Sequence, residues 1–351
     1  MADMPVAARR VFRLGLTTAL ALVCGYALNL PLPFLAPLFA LMLTATPGVS
    51  IGPKGLLGLI LVVLVTLGMG VLLIPLLLHY PASAVLIVAA GLYFSNYLTV
   101  NRGKGLVGAL LTVGFTLISA AGLLSYQLAA LVIQALVVAI AIAICCHWVV
   151  YPLFPEDPVT TGSDKPTAGN AAEQSNWIAL RATLIVLPAY LLALTNPSAY
   201  LPIIMKSVSL GQQGSVVNAR HAGVELLGST FLAGCFAVLF WFVLKLYPSL
   251  WMFFLWMLLF GIYFSSKLYG ILASRFPPSF WLNTAVTMLI LLGPAVQDSA
   301  NGKDVYKAFA VRMGLFIAVT LYAWLAIHLL ERLRARRLRR ISLLTPQTEL
   351  T

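Results

Sequence analysis

Apolar segments long enough to cross a lipid bilayer occupy most of this 351-residue sequence. A membrane-spanning helix needs about 20 mostly apolar residues, and twelve segments reach or approach that length. They are 11–30, 34–49, 55–78, 82–100, 105–121 and 125–152 in the first half, and 177–196, 199–214, 223–246, 250–268, 279–297 and 309–330 in the second. Only 9% of the residues are charged, whereas a soluble domain carries about a quarter. The sequence therefore predicts an all-α polytopic membrane protein.

The two halves of the sequence resemble each other. Residues 91–98, GLYFSNYL, align with residues 261–268, GIYFSSKL, and Arg13 aligns with Arg181 at the start of the first span of its half. An even number of spans in each half gives both halves the same orientation, related by an axis along the membrane normal. We therefore expect two parallel, pseudo-symmetric repeats of about six transmembrane helices each, with a transport pathway where they meet.

The basic residues predict the orientation of the chain. When the N-terminus is placed in the cytoplasm, most of the 22 Lys and Arg residues fall on the cytoplasmic side of the membrane, as the positive-inside rule requires. The net charge of +12 therefore needs no nucleic-acid partner, and the basic tail is expected to contact anionic lipid of the bilayer. The predicted units are a first transmembrane repeat over 1–152, a cytoplasmic linker over 153–176, a second repeat over 177–330 and a basic cytoplasmic tail over 331–351.

The second span of each half contains a proline, Pro37 in 34–49 and Pro202 in 199–214. Proline removes a backbone donor and kinks a helix, and an interrupted helix persists in a bilayer only where protein or a cavity covers it. We expect both spans to be short or broken, to stop within the membrane and to face the protein interior.

Three motifs in the second half resemble a known group of transporters. Gly211-Gln212-Gln213-Gly214, Arg220-His221 and Leu227-Gly228-Ser229-Thr230 are similar to the segment that follows the second helix in the fusaric-acid-resistance (FUSC) superfamily. That superfamily includes aromatic carboxylic acid exporters and aluminium-activated malate channels. The resemblance implies export of organic anions across the bacterial inner membrane, with Gln212 among the substrate-binding residues. It also implies a periplasmic membrane-fusion adaptor and an outer-membrane channel as partners. The short linker is typical of a compact, transmembrane-only branch.

Lys206 is a cation inside the short span of the second half, four residues after Pro202. The aligned residue of the first half is Leu41. A charged side chain in a bilayer costs about 2.5–3.5 kcal/mol on insertion scales, so we interpret Lys206 as a candidate ligand for a substrate carboxylate. The alternative is a structural lysine that reaches an interface or pairs with a neighbouring span.

Two further groups of candidate residues repeat between the halves. Arg13 and Arg181 either anchor the topology or form a symmetric cationic mouth that concentrates anions. Polar and aromatic residues of the fourth and tenth spans either bind an aromatic acid, by hydrogen bonds and stacking, or hold helices together. These residues are Tyr93, Ser95, Asn96, Tyr263, Ser265 and Ser266.

Glu225 is the only carboxylate inside the predicted spans, and His221 precedes it by four residues. Side chains at this spacing share a face of a helix, so each group affects the proton affinity of the other. The pair is our candidate for proton coupling. The alternative is a boundary ion pair between Glu225 and Arg220, or a contact with a lipid headgroup.

These features favour a secondary exporter of organic anions, specifically aromatic carboxylic acids, that is driven by the proton gradient. A passive anion channel and a non-transporting membrane subunit are the alternatives. The sequence contains no P-loop and no arrangement typical of a hydrolase, so we predict no enzymatic activity, no catalytic or metal-binding residues and no cofactor. A homo-oligomer is compatible with the sequence.

Overall fold

The computed structural model describes residues 4–46, 52–157, 171–216, 222–302 and 304–344. This part of the chain folds into helices and contains no β-strand. The first half contains α1 (Val6–Ala27), α2 (Leu35–Ala45), α3 (Pro53–His79), α4 (Pro81–Arg102), α5 (Gly105–Leu124) and α6 (Tyr126–Val150). The second half contains α7 (Ala171–Thr195), α8 (Pro197–Val216), α9 (Ala222–Leu246), α10 (Leu250–Leu268), α11 (Pro278–Ala300) and α12 (Val305–Leu344). The prediction of an all-α protein is confirmed.

Within the described ranges, nine helices are long and apolar enough to cross a membrane. The remaining three are α1, which begins with several arginines, the short α2, and α8, which contains polar residues. The long helices expose apolar side chains on their outer faces: in α3, Leu61 and Leu72 are exposed, whereas Val63 and Leu67 are buried. Because such faces are stable only against hydrocarbon, the chain is a multi-pass membrane protein in contact with the lipid bilayer.

The two halves pack against each other through equivalent pairs of helices. The first helix of each half packs against the fourth helix of the other, since α1 contacts α10 and α7 contacts α4. The second helix of each half likewise packs against the fifth helix of the other, since α2 contacts α11 and α8 contacts α5. Within each half, the first helix packs on the second and the sixth. The helix contacts of the second half therefore repeat those of the first.

The two interfaces between first and fourth helices are built differently. At the crossing of α1 and α10, a methyl group added to Gly261 would lie only 3.0 Å from the Cα of Gly15, so the backbones nearly touch. At the crossing of α4 and α7, a side-chain hydrogen bond joins the helices, with Asn96 Nδ2 donating to Thr183 Oγ1 at 3.1 Å. The backbone contact requires glycine, whereas the hydrogen-bonded crossing accommodates larger residues.

The second helices are both interior, as predicted, but they differ in length. α2 contains only 11 residues, and nearly all of them are buried, Leu35 and Leu41 included. α8 instead runs continuously over 20 residues, with Ile204 and Lys206 buried. The break expected in the second half does not occur. Pro202 lies in the second turn of α8, where its missing N–H removes one backbone hydrogen bond near the start of the helix.

Several helices extend beyond the predicted spans. α7 begins at Ala171, inside the expected linker, and α12 continues to Leu344, inside the expected tail. α11 reaches Ala300 and so includes Asp298. The expectation that Glu225 is the only carboxylate within the spans therefore does not hold. An apolar window marks where lipid contact ends, whereas a helix continues as long as the following residues favour helical backbone.

Candidate functional site

The start of α1 lies at the same end of the bundle as the ends of α6 and α10. Arg13 of α1 forms an ion pair with Glu156, which follows α6. Ser265 near the end of α10 donates a hydrogen bond to the Val11 carbonyl of α1. We call this end the N-terminal side. α11 follows α10 after a short turn, so it begins at this side. α9 begins there as well, because Glu225 near its start is bonded to Ser279 at the start of α11.

Lys206 is completely buried, with 0% of its surface exposed, midway along α8. Its Nζ donates a hydrogen bond of 2.8 Å to Thr287 Oγ1 and a longer one of 3.5 Å to Asn283 Oδ1. Both acceptors are neutral side chains of α11, one helical turn apart. No carboxylate of the described residues forms an ion pair with Lys206. An ammonium group carries three N–H donors, so one donor remains for a further acceptor.

Asn283 joins three helices at this site. Its Nδ2 donates a hydrogen bond to Ser229 Oγ on α9. Its Oδ1 accepts hydrogen bonds from Lys206 of α8 and, at 3.1 Å, from Thr287 of its own helix. The amide is thereby oriented with its carbonyl oxygen toward the ammonium. We call Lys206, Ser229, Asn283 and Thr287 the Lys206 cluster; each is 2% exposed or less.

Glu225 lies one helical turn closer to the N-terminal side than the Lys206 cluster. Its Oε1 accepts a hydrogen bond from Ser279 Oγ, so the start of α9 is joined to the start of α11. Glu225 is 8% exposed, and it forms no ion pair within the part of the chain that the structure describes. His221, the predicted partner of Glu225, lies outside the described residues. So does the side chain of Gln212, whose backbone belongs to α8.

Arg13 and Arg10 hold a carboxylate at the N-terminal side of the first half. Arg13 donates to Glu156 Oε2 at 2.5 Å, and Arg10 Nε donates to Glu156 Oε1 at 2.6 Å. Burial of Glu156 acts to raise the pKa of its carboxyl group, but the hydrogen bonds and positive charges of Arg10 and Arg13 outweigh burial, and the pKa lies below its usual value. The segment that follows α6 is thus fixed to α1.

Arg181 forms the corresponding contact in the second half. It donates a hydrogen bond of 2.8 Å to Glu331 Oε1 of α12, which also accepts one of 3.1 Å from Trp177 Nε1. Arg13 therefore joins α1 to the segment that follows α6, and Arg181 joins α7 to α12, the sixth helix of its half. Because a carboxylate balances each guanidinium, this geometry favours the anchoring interpretation of the two arginines over a cationic mouth for anions.

The repeated polar-aromatic residues of α4 and α10 point in different directions. Tyr93 and Tyr263 are 36% and 37% exposed on the outside of the bundle. Asn96 is buried against α7 through its hydrogen bond to Thr183, and Ser266 donates to the Ile262 carbonyl of its own helix. The structure therefore does not bring the tyrosines together with the amide and hydroxyl groups as one patch.

The polar residues of α11 are the part of the site that the sequence analysis missed. Ser279, Asn283 and Thr287 recur every fourth residue in a largely apolar helix, so they share one face. That spacing is a signal that could have identified them. In the described ranges, no group of three or more His, Cys, Asp or Glu residues could hold a metal ion.

Comparison with known proteins gives one match. A family profile described as protein of unknown function (DUF2955) matches residues 10–150, which contain nearly all of the first six helices. No curated protein and no solved structure shows a significant match to the chain. The chain is therefore similar to this family over its first half, whereas the Lys206 cluster and Glu225 lie in the second.

Proposed function

We propose that this protein is a secondary transporter that exports organic anions, and that Lys206 binds the carboxylate of its substrate. The observation that carries the proposal is the burial of the Lys206 ammonium beside Thr287 and Asn283, with no carboxylate partner among the residues that the structure describes. The buried arginines of the same protein differ in this respect, since Arg13 and Arg181 each have a glutamate as a partner.

A buried ammonium without a counter-charge is costly, and an anion that enters the site would remove that cost. Thr287 and Asn283 occupy two of its three donors, so the third is available to a carboxylate oxygen. A hydrogen bond to a carboxylate is stronger than one between neutral groups. The site thus favours a carboxylate over a neutral ligand.

The finer parts of the proposal rest on sequence features. The resemblance to the FUSC superfamily supports aromatic carboxylic acids as substrates, a bacterial inner-membrane location and partnership with a periplasmic adaptor and an outer-membrane channel. The distribution of basic residues supports cytoplasmic termini, so that the N-terminal side faces the cytoplasm. Glu225 supports proton coupling, because it is a nearly buried carboxylate one helical turn from the Lys206 cluster.

The test is uptake of radiolabelled benzoate into inverted membrane vesicles. Lys206→Ala should abolish uptake at unchanged protein level, and Lys206→Arg should restore part of it because the charge is kept with a different geometry. Leu41→Ala is the matched control, since Leu41 is the buried counterpart of Lys206 in the first half; it should transport like the wild type.

Two outcomes would overturn the proposal. If Lys206→Ala takes up benzoate at the wild-type rate, Lys206 is a structural lysine. If benzoate flows through the wild type only down its own gradient and is unaffected by a pH gradient, the protein is a passive channel.

A further inference from the structure

The polar residues of α9 and α11 form a line that begins at the N-terminal side and ends at Lys206. We propose that this line, which we call the polar track, is the route by which the substrate reaches Lys206 from the N-terminal side. The second half alone then contains the access route. This inference rests on the proposed function, because it concerns access to the same anion site. The polar track consists of Glu225 and Ser229 on α9 and of Ser279, Asn283 and Thr287 on α11.

The track follows from the spacing of its residues. Glu225 and Ser229 are four residues apart, as are Ser279, Asn283 and Thr287, so each set lies on one face of its helix. Hydrogen bonds join the two faces at successive levels, from Ser279 to Glu225 and from Asn283 to Ser229. At a rise of about 1.5 Å per residue, the track covers roughly 12 Å between Ser279 and Thr287.

The polar track has a direction, because the same helix faces become apolar beyond Lys206. On α9 the residues that follow Ser229 at the same spacing are Ala233 and Ala237, and on α11 the residue that follows Thr287 is Leu291. All three are buried. A hydrated or anionic group would find hydrogen-bonding partners from the N-terminal side up to Lys206, and none on these faces over the next two helical turns.

The corresponding helix of the first half has hydroxyl groups but no such track. In α5, Thr112, Thr116 and Ser119 each donate a hydrogen bond to a backbone carbonyl of their own helix, at 2.9, 2.6 and 2.5 Å. Thr112 and Ser119 also contact the hydroxyl groups of Ser95 on α4 and Tyr190 on α7, at 2.6 and 3.0 Å. The position that matches Lys206 is the apolar Leu41. Among the described residues, no side-chain hydrogen bond joins α5 to α3, the counterparts of α11 and α9, so this part of the first half lacks both the charge and the line of polar groups.

The Glu225–Ser279 hydrogen bond closes the polar track at its N-terminal end. Glu225 is 8% exposed, and Ser279 is half-buried, so this pair separates the fully buried Ser229 and Asn283 from solvent. Separation of the start of α9 from the start of α11 breaks this hydrogen bond and the packing of the Phe280 ring against Gly228, and opens the track. Entry of a substrate therefore requires a local movement within the second half.

Labelling of single cysteines from each side of the membrane tests the proposal. The native Cys24, Cys145, Cys146 and Cys235, which form no disulfide, are first replaced by alanine. Ser279→Cys and Ser229→Cys are then exposed to the membrane-impermeant anion methanethiosulfonate ethylsulfonate, and unreacted thiols are counted by a maleimide mass tag. Arg275→Cys, in the exposed turn before α11, identifies vesicles in which the N-terminal side faces the reagent.

We expect Ser279→Cys and Ser229→Cys to react fully from the N-terminal side, not from the opposite side, and benzoate to protect Ser229→Cys. Ala237→Cys, two helical turns further along α9, and Ser119→Cys, on α5, are the matched buried controls and should not react. Absence of reaction at both track positions, or equal reaction from both sides, would overturn the proposed route.

Labelling and benzoate uptake together show whether the route or the anion site is wrong. If Lys206→Ala loses benzoate uptake while neither track position reacts, Lys206 binds the anion but the route is wrong. If both positions react and benzoate protects Ser229→Cys while Lys206→Ala transports normally, the route is correct and the assigned role of Lys206 is wrong.

Discussion

Arg13 and Arg181 occupy equivalent positions in the two halves, and each donates a hydrogen bond to a glutamate that follows the sixth helix of its half or lies within it. The partners differ in exposure, because the Glu156 side chain is 3% exposed and the Glu331 side chain is 30% exposed. The same arginine–glutamate ion pair is therefore buried in the first half and partly exposed to solvent in the second.

Removal of the Glu156 carboxylate should destabilise the protein more than removal of Glu331. Glu156→Gln leaves the buried Arg13 without a counter-charge, which costs about 3–5 kcal/mol, and it also removes the partner of the partly exposed Arg10. Glu331→Gln should cost less, since water reaches that site and screens the charge. Thermal unfolding of the detergent-solubilised variants, followed by tryptophan fluorescence, gives the comparison. Equal shifts of Tm would contradict it.

Acid should weaken the same contact. The pKa of Glu156 is lower in the folded protein than in the unfolded chain, where a glutamate has a pKa of about 4.3. The stabilisation is therefore complete above about pH 5 and is lost as the pH falls toward the folded pKa. We expect the difference in Tm between wild type and Glu156→Gln to shrink between about pH 5 and pH 3. A difference that stays constant over this range would show that the charge of Glu156 contributes nothing.

Helix packing in the first half should be sensitive to a methyl group at Gly70 but not at Gly68. A Cβ at Gly70 would overlap the backbone carbonyl oxygen of Gly114 on α5, whereas a Cβ at Gly68 would meet nothing within 4 Å. Gly70→Ala should lower Tm, because backbone atoms cannot give way. Gly68→Ala should leave it unchanged or raise it slightly, since alanine favours helix over glycine by about 0.8–1 kcal/mol. Similar Tm values for both variants would refute the close contact of α3 and α5.

Glu225→Gln should separate proton-driven transport from exchange. Glutamine keeps an acceptor for Ser279 Oγ but cannot ionise, so benzoate uptake driven by a pH gradient into inverted vesicles should be lost. Counterflow of benzoate needs no proton and should be retained. Glu331→Gln is a control for loss of a carboxylate outside the polar track, and it should keep both activities. Retention of both activities by Glu225→Gln would identify Glu225 as a structural residue.

The helices could be read from the sequence because lipid contact imposes apolar runs of a fixed length. The boundaries of α7 and α12 could not, because these helices continue into polar segments. Lys206 was identifiable as a charge in an apolar context. Its partners were not, since Asn283 and Thr287 are 77 and 81 residues away in sequence and contact it only once α8 and α11 pack together.

The ion-pair partners of the two arginines could not be predicted from the sequence either. Arg13 and Arg181 could be recognised as equivalent residues from their positions in the two halves. Glu156 was part of an apparent linker, and Glu331 of an apparent tail, so neither could be recognised as a counter-charge. The difference between an anion-attracting group and a neutralised pair depends on which chain segments return to the start of α1 and α7.

The crossing of α1 and α10 at Gly15 and Gly261 limits how the two halves can move against each other. The backbones touch at the two glycines, and one turn along α10 the Ser265 hydroxyl donates to the Val11 carbonyl of α1, so the separation of the helices is fixed and only rotation about the contact is inexpensive. The opposite crossing is held by two side-chain hydrogen bonds, from Asn96 to Thr183 and from Asn101 to Asn176, and it opens when these two bonds are lost. The glycine contact is thus suited to act as a fulcrum, and any rocking of one half on the other would be largest at α4 and α7.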